Sequence, residues 1–177
     1  MADFAKAFAL TMKAEGGYGN DPQDPGGETY KGIARKMNSK WEGWVTIDMM
    51  KKKKNFPANL DNNVQLQENI KAFYEANYWD KINGDKINNQ DIAESIFDFA
   101  VNAGPIVSAK LAQITVNAKP DGVIGHMTIE KINADDPRTF LAIFALNKIA
   151  RYVSICNKRQ ESKKFFFGWV KRTLEGL

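Results

Sequence analysis

Glu15-Gly16-Gly17-Tyr18-Gly19-Asn20-Asp21-Pro22-Gln23-Asp24-Pro25-Gly26-Gly27-Glu28-Thr29 is the one long stretch of this chain without helical patterning. Its glycines, prolines, Asp and Asn specify turns, so Tyr18 to about Gly32 reads as a structured loop or short hairpin. On its N-terminal side, Phe4, Phe8, Met12 and Glu15 recur at i, i+4, i+8 and i+11, one face of a helix that Asp3 can cap and Gly16-Gly17 can stop. On its C-terminal side the spacing predicts a turn or two of helix over Ile33 to Met37, and a short helix from a Thr46 cap through Lys54. A long helix is expected over Asp61 to Tyr78, with Val64, Ile70, Phe73 and Tyr74 inward. An Asn/Asp-rich linker at Asn83 to Asp91 leads to a helix marked by Ile92, Ile96, Phe99 and Ala100. Gly104-Pro105 breaks that helix before another running to about Asn117. After a tight turn at Lys119 to Gly125 come a short helix from Met127, a long one from Asp136-Pro137 with Phe140, Phe144, Ile149 and Val153 inward, and a tucked tail at Phe165 to Trp169. Strand patterns are nearly absent, and the expected fold class is mostly α.

Composition narrows the function. The 177 residues suit one domain, or one with a small integrated subdomain, and no apolar run approaches the roughly 20 residues of a membrane span, so no integral membrane segment is expected. One cysteine, Cys156, and one histidine, His126, exclude a disulfide framework, a multi-cysteine zinc site and a histidine-rich metal centre. Cys156 reads as a core residue. No metal or cofactor is implied, and a hydrolase built from this chain should run on carboxylates. The net charge of +4 gathers late, in Lys148, Arg151, Lys158, Arg159, Lys163, Lys164, Lys171 and Arg172. Such a face attracts polyanions, but no nucleic-acid signature accompanies it, so no nucleic-acid partner is expected. The N-terminus lacks a secretory signal pattern. The expectation is synthesis as a soluble cytosolic chain, and action outside the cytoplasm would need something other than a classical signal.

Glu15 is the candidate acid. Placed at the apolar side of a helix C-terminus, its carboxyl would be pushed upward by apolar neighbours and by the negative end of the helix dipole. A carboxylic acid held near pKa ~6 can protonate a glycosidic oxygen at neutral pH. The paired glycines leave room for a large substrate, the Asp-Pro-Gly-Gly turn can fix Asp24 as a second carboxylate, and Thr29 can hold a water. The other reading is a helix-end residue followed by an ordinary turn.

The chain resembles the glycoside hydrolase family 108 lysozymes, N-acetylmuramidases and phage-type endolysins of which some carry the label secretion activator. The resemblance rests on Glu15-Gly16-Gly17-Tyr18, Asn20-Asp21-Pro22, Asp24-Pro25-Gly26-Gly27, Thr29 and Gly32-Ile33. It continues through Tyr78-Trp79, Asp98 to Gly104, Asp121 to Gly125 with Thr128, and Gly168 to Arg172. It implies a lysozyme-like helical fold with a catalytic segment over 1–90 and a helical peptidoglycan-binding region over 91–177, packed into the same compact fold. The glutamate of Glu-Gly-Gly-Tyr is the family's catalytic residue, which points to Glu15. Phage lysozymes of a related fold space their glutamate, aspartate and threonine by eight and five residues. Here the intervals are eight and four, so Asp24 and Thr29 depart from that pattern by one residue. Glu28 adds a third carboxylate to the neighbourhood. Tyr18 is the aromatic expected to line the cleft. Trp169 is a second candidate for stacking on sugar, whereas Trp79 reads as core. The expected partner is peptidoglycan. A wall-binding or secretion-accessory protein on the same scaffold is the alternative.

Overall fold

The computed structural model describes residues 1–13, 15–21 and 26–176. Among them are eight α-helices and one small sheet, so the fold is mostly α. The chain divides into two compact units, residues 8–76 and residues 1–7 with 77–177.

Helix α1 (Phe4–Thr11) contributes to both units. Asp3 caps it, its Oδ1 accepting the Ala5 N–H at 2.8 Å. The helix is shorter than its periodicity suggests. Its last turn tightens, the Lys13 N–H bonding back only three residues to the Leu10 carbonyl, so the chain is released before Glu15. That residue stands beyond the helix, on a bend, and not on its last turn.

In the unit of residues 8–76, strands β1 (Tyr18–Asn20), β2 (Glu28–Tyr30) and β3 (Ile33–Ala34) form an antiparallel meander in the order β1-β2-β3. Tyr18 lies opposite Tyr30, and Tyr30 opposite Ile33. The expected helical turns at Ile33 to Met37 are thus replaced at their start by a strand. The reason is local: Lys31 and Gly32 both have positive φ, 43° and 77°. That is the two-residue mirror-image turn whose twist suits a hairpin. Helix α2 (Gly43–Met50) begins three residues before the expected Thr46 cap. Trp44, Ile47 and Met50 recur on its buried side, and Gly43 lies flat beneath the Trp41 ring, where a Cβ would come within 2.3 Å. Helix α3 (Val64–Tyr74) starts at an Asn63 cap that accepts the Leu66 N–H at 2.8 Å. Leu66, Ile70 and Tyr74 face inward. Val64, expected inside, is the first helical residue and is 76% exposed.

The unit of residues 1–7 and 77–177 is centred on Trp79, which closes a π-helical turn (Glu75–Trp79) and is fully buried. Phe4 and Phe97 pack on its ring at 5.6 and 5.7 Å, and its indole N–H donates to Asp85 Oδ1 at 2.7 Å. Trp79 is therefore core, as the sequence indicates. Helix α4 (Gln90–Ala103) is capped by Asn89 and broken by Gly104 at φ 92°. Helix α5 (Pro105–Thr115) follows at once, with proline in its first turn. The tight turn near Asp121 is held by one buried side chain. Gln113 donates to Asp121 Oδ1 and the Val123 carbonyl and accepts from the Gly122 N–H, at 2.7, 3.0 and 2.9 Å. Helix α6 (His126–Ala134) leads to α7 (Pro137–Lys158), capped by Asp136, and α8 (Lys163–Glu175) completes the chain.

Helix α7 corrects two expectations, the inward place of Val153 and the solvated place of Lys148. Its 22 residues include a window long and apolar enough, by length and composition, to cross a membrane. In this fold it packs against α4, α5 and α8. Its inward residues are Phe140, Phe144, Ala145, Lys148 and Cys156, while Val153 is largely exposed. Lys148, counted with the solvated basic face, is 6% exposed. Its ammonium donates to Ser95 Oγ at 2.9 Å and lies 4.6 Å from the Phe144 ring centre.

Burial lowers the Lys148 pKa from 10.5 to about 8. Between those values the unfolded chain binds more protons than the folded one, so this residue makes stability rise with pH. Below pH 8 both states are charged and the burial cost is constant. Lys148→Met should abolish this dependence: its stability relative to wild type should fall by about 3 kcal/mol between pH 8 and 10.5, as read from urea denaturation.

Candidate active site

The Lys31-Gly32 turn fixes the position of the candidate acid. An added Cβ on Gly32 would lie 2.6 Å from Glu15 Oε2 and equally 2.6 Å from the Tyr74 hydroxyl. The Glu15 carboxyl therefore rests on the bare α-carbon of Gly32 with the Tyr74 phenol beside it. Tyr74 is buried on α3, its ring packed between Phe8 and Phe73 at 5.7 Å from each. Its hydroxyl donates to the Lys31 carbonyl at 2.7 Å. The turn is held from its other end by the Lys31 side chain, which reaches Asp61 and Gln67 at 3.1 and 3.2 Å. Gln67 and Asp61 also meet the Tyr30 hydroxyl. Burial pushes the Tyr30 phenol up to about 12, so it stays protonated.

Around Glu15 the surface is open. Among the described residues, nothing lies within 4 Å of where a Cβ would sit on Gly16, Gly17 or Gly19. Thr29, on β2, has Gly19 and Ala34 as its cross-strand partners, so small residues flank it. Its hydroxyl donates to the Gly27 carbonyl at 3.2 Å. Strand alternation puts Tyr18 and Thr29 on opposite faces of the sheet. The Tyr18 ring packs edge-on against Phe56 at 4.6 Å, and its hydroxyl is hydrogen-bonded to Glu28. Burial first, and then the Glu28 carboxylate, raises its pKa. Asp24 lies outside the described residues.

Glu28 proves to be something other than a loose third carboxylate. It is clamped by Arg35 and Lys51, each at 2.6 Å, and the same two cations bind Asp48. Burial alone would raise the Glu28 pKa, but the hydrogen bonds from Lys51, Arg35 and Tyr18 outweigh it and hold the value down. Arg35 holds Asp48 near 2. Two carboxylates and two cations thus join β2, the turn after β3 and α2, with the Arg35 guanidinium 4.9 Å from the Trp44 ring centre. Apart from Asp48 and Lys51 at i, i+3, the sequence gives no spacing signal for this network. Tyr74 was legible only as a core aromatic.

Trp169, in the other unit, is half-buried. It lies at 5.2 Å from the Tyr152 ring and stacks on Phe165 at 5.9 Å.

Comparison with known proteins gives the family. The family model for glycosyl hydrolase 108 matches residues 8–104, more than half of the chain. The chain belongs to glycosyl hydrolase family 108. A second family model, the predicted peptidoglycan domain, matches residues 102–174. A solved structure of SagA from Brucella abortus is similar over 98% of this chain and 90% of its own, at 26% identity and a TM-score of 0.67. Among curated protein sequences none matches. The chain is thus a glycoside hydrolase of family 108 carrying a region of the peptidoglycan-binding type.

In this family 108 chain, Gly32→Ala should damage the site twice. It strains a positive-φ turn and drives a methyl into Glu15 and Tyr74. The expected cost is about 1–3 kcal/mol in chemical denaturation, with a fall in hydrolysis greater than the loss of folded protein explains. Gly16→Ala, which meets open space, serves as the control and should leave folding intact.

Proposed function

We propose that this chain is an N-acetylmuramidase that cleaves the β-1,4 bond between N-acetylmuramic acid and N-acetylglucosamine in peptidoglycan, with Glu15 as general acid. The observation that carries this reading is the seat of Glu15. Its carboxyl is wedged against Gly32 and Tyr74 at the edge of a surface opened by three glycines. The Tyr74 hydroxyl gives its proton to the Lys31 carbonyl. That hydroxyl is buried with Tyr74 and lies beside the Glu15 carboxyl. In the proposed reaction Glu15 protonates the leaving glycosidic oxygen while positive charge develops on the departing sugar ring. Asp24 is proposed to stabilise that charge or to activate the incoming water. The Thr29 hydroxyl, whose proton goes to Gly27, retains lone pairs that can accept from the same water. The predicted peptidoglycan domain over residues 102–174 supports the bacterial wall as the place of action, reached after synthesis in the cytoplasm by holin-like or non-classical export, as for a prophage endolysin.

Wall lysis by wild type beside Glu15→Gln tests the proposal, with reducing-end analysis of the soluble products. Wild type should release muropeptides ending in reducing N-acetylmuramic acid. The folded variant should be slower by at least about a hundredfold. Release of reducing N-acetylglucosamine instead would refute the bond assignment. Wall binding by both proteins with no sugar released by either would leave a wall-binding or secretion-accessory protein.

A further inference from the structure

Helices α4, α7 and α8 enclose a cleft of about 400 Å3 whose lining is strongly unbalanced in charge. Lys148, Arg151, Arg159 and Arg172 contribute four cations to it, against Asp98 as the one carboxylate among the described lining residues. That carboxylate is already committed: Asp98 receives Arg172 through two hydrogen bonds at 2.7 and 3.3 Å and also accepts from Asn102. Lys148 is the unusual member. Its ammonium is buried, and among the described residues no carboxylate lies within ion-pair distance of it. It has one hydrogen bond, to Ser95, and two aromatic faces, those of Phe99 and Phe144. Asp98 acts on this ammonium only from beyond ion-pair distance, and neither ring supplies a formal negative charge, so the buried cation lacks a close counter-ion among the described residues. Above it, Trp169 with Tyr152 and Phe165 forms an aromatic wall, half open to solvent at Trp169. A buried cation lining the same cleft as a half-buried aromatic ring is a pairing that can hold an acid carried on a sugar or peptide, with the charge on the ammonium and the apolar part on the ring.

We propose that this cleft is a second wall-binding site, separate in its residues from the Glu15 site, and that it takes a carboxylate-bearing unit of peptidoglycan. The carboxylate would meet Lys148 and Arg151, and the unit's apolar face would lie on Trp169. The inference rests on peptidoglycan being the substrate, but it does not depend on Glu15 being the acid. Two wall groups offer this chemistry: the lactyl carboxylate of N-acetylmuramic acid and the carboxylates of the stem peptide.

The test uses the full chain carrying Glu15→Gln, labelled with nitrogen-15, at pH 7. The indole N–H signal of Trp169 is assigned by its disappearance in Trp169→Phe. Three probes are titrated: the disaccharide of N-acetylglucosamine and N-acetylmuramic acid, the free stem tetrapeptide, and neutral chitotetraose. The Trp169 signal should move saturably with one of the two carboxylate probes, which identifies the source, and should not move with chitotetraose. Lys148→Met should weaken that binding about tenfold or more. Arg151→Gln, at the surface, gives the same reading if Lys148→Met does not fold. A Trp169 signal indifferent to all three probes overturns the proposal, as does one that responds equally in the variants or to chitotetraose. Because the signal reports this cleft alone, its outcome is distinct from that of the lysis assay. Muramidase activity with a silent Trp169 leaves the Glu15 reading standing, and a responsive Trp169 without activity does the reverse.

Discussion

One hydrogen bond sets the position of much else in the unit of residues 8–76: the Tyr74 hydroxyl, buried on α3, donates to the carbonyl of Lys31. A two-residue turn with both φ values positive is a rigid object, but it has no hold on the rest of the protein by itself. Tyr74 and the Lys31 side chain give it two attachments to the region around α3, and the meander then has a fixed end. Gly32 follows from this arrangement. With the turn pinned so close to the phenol, no space remains for a side chain, and the vacated volume is where the Glu15 carboxyl lies. The Glu15 carboxyl, the proposed acid, is positioned by a residue that has no side chain and by a buried phenol.

The same region shows how charge is kept from spreading its influence. Three carboxylates of this unit, Glu28, Asp48 and Asp61, are tied to cations. Glu28 and Asp48 share Arg35 and Lys51, and Asp61 takes Lys31. Close neutralisation of this kind shortens the reach of each negative charge. It also explains why Glu28, a carboxylate near the acid in sequence, does not act as a free charge beside it.

How much of this could be read from the sequence differs with the kind of signal. Periodicity located α1, α3, α4, α7 and the break at Gly104-Pro105, because each places apolar residues on one helical face. It failed at ends. Nothing in Phe4 to Glu15 signals that the helix tightens at Leu10 and Lys13, so Glu15 was expected on the helix. Val64 was expected inward although the cap at Asn63 makes it the first, outward residue. The strand at Ile33 is too short for an alternation to register, and only the glycine before it hinted at a turn. Glu15 itself was legible because Glu-Gly-Gly-Tyr is a distinctive string. Tyr74, Arg35 and Lys51 were not, because most of their partners lie 7 to 59 positions away. Lys148 was misread for a related reason: a lysine among apolar residues on a long helix looks like a solvated charge until the facing helices are known.

Cys156 lies on α7 facing inward, 6% exposed, and is the only thiol in the chain. A thiol reagent cannot reach it unless α7 loses its cover, so its labelling rate measures the opening of that unit in the intact protein. Residues 8–76 hold no cysteine and are silent in the same measurement. The molecule therefore carries a natural clock for one of its two units, requiring neither mutation nor dye, with which the opening of the C-terminal helices can be timed while the protein is at work on a wall.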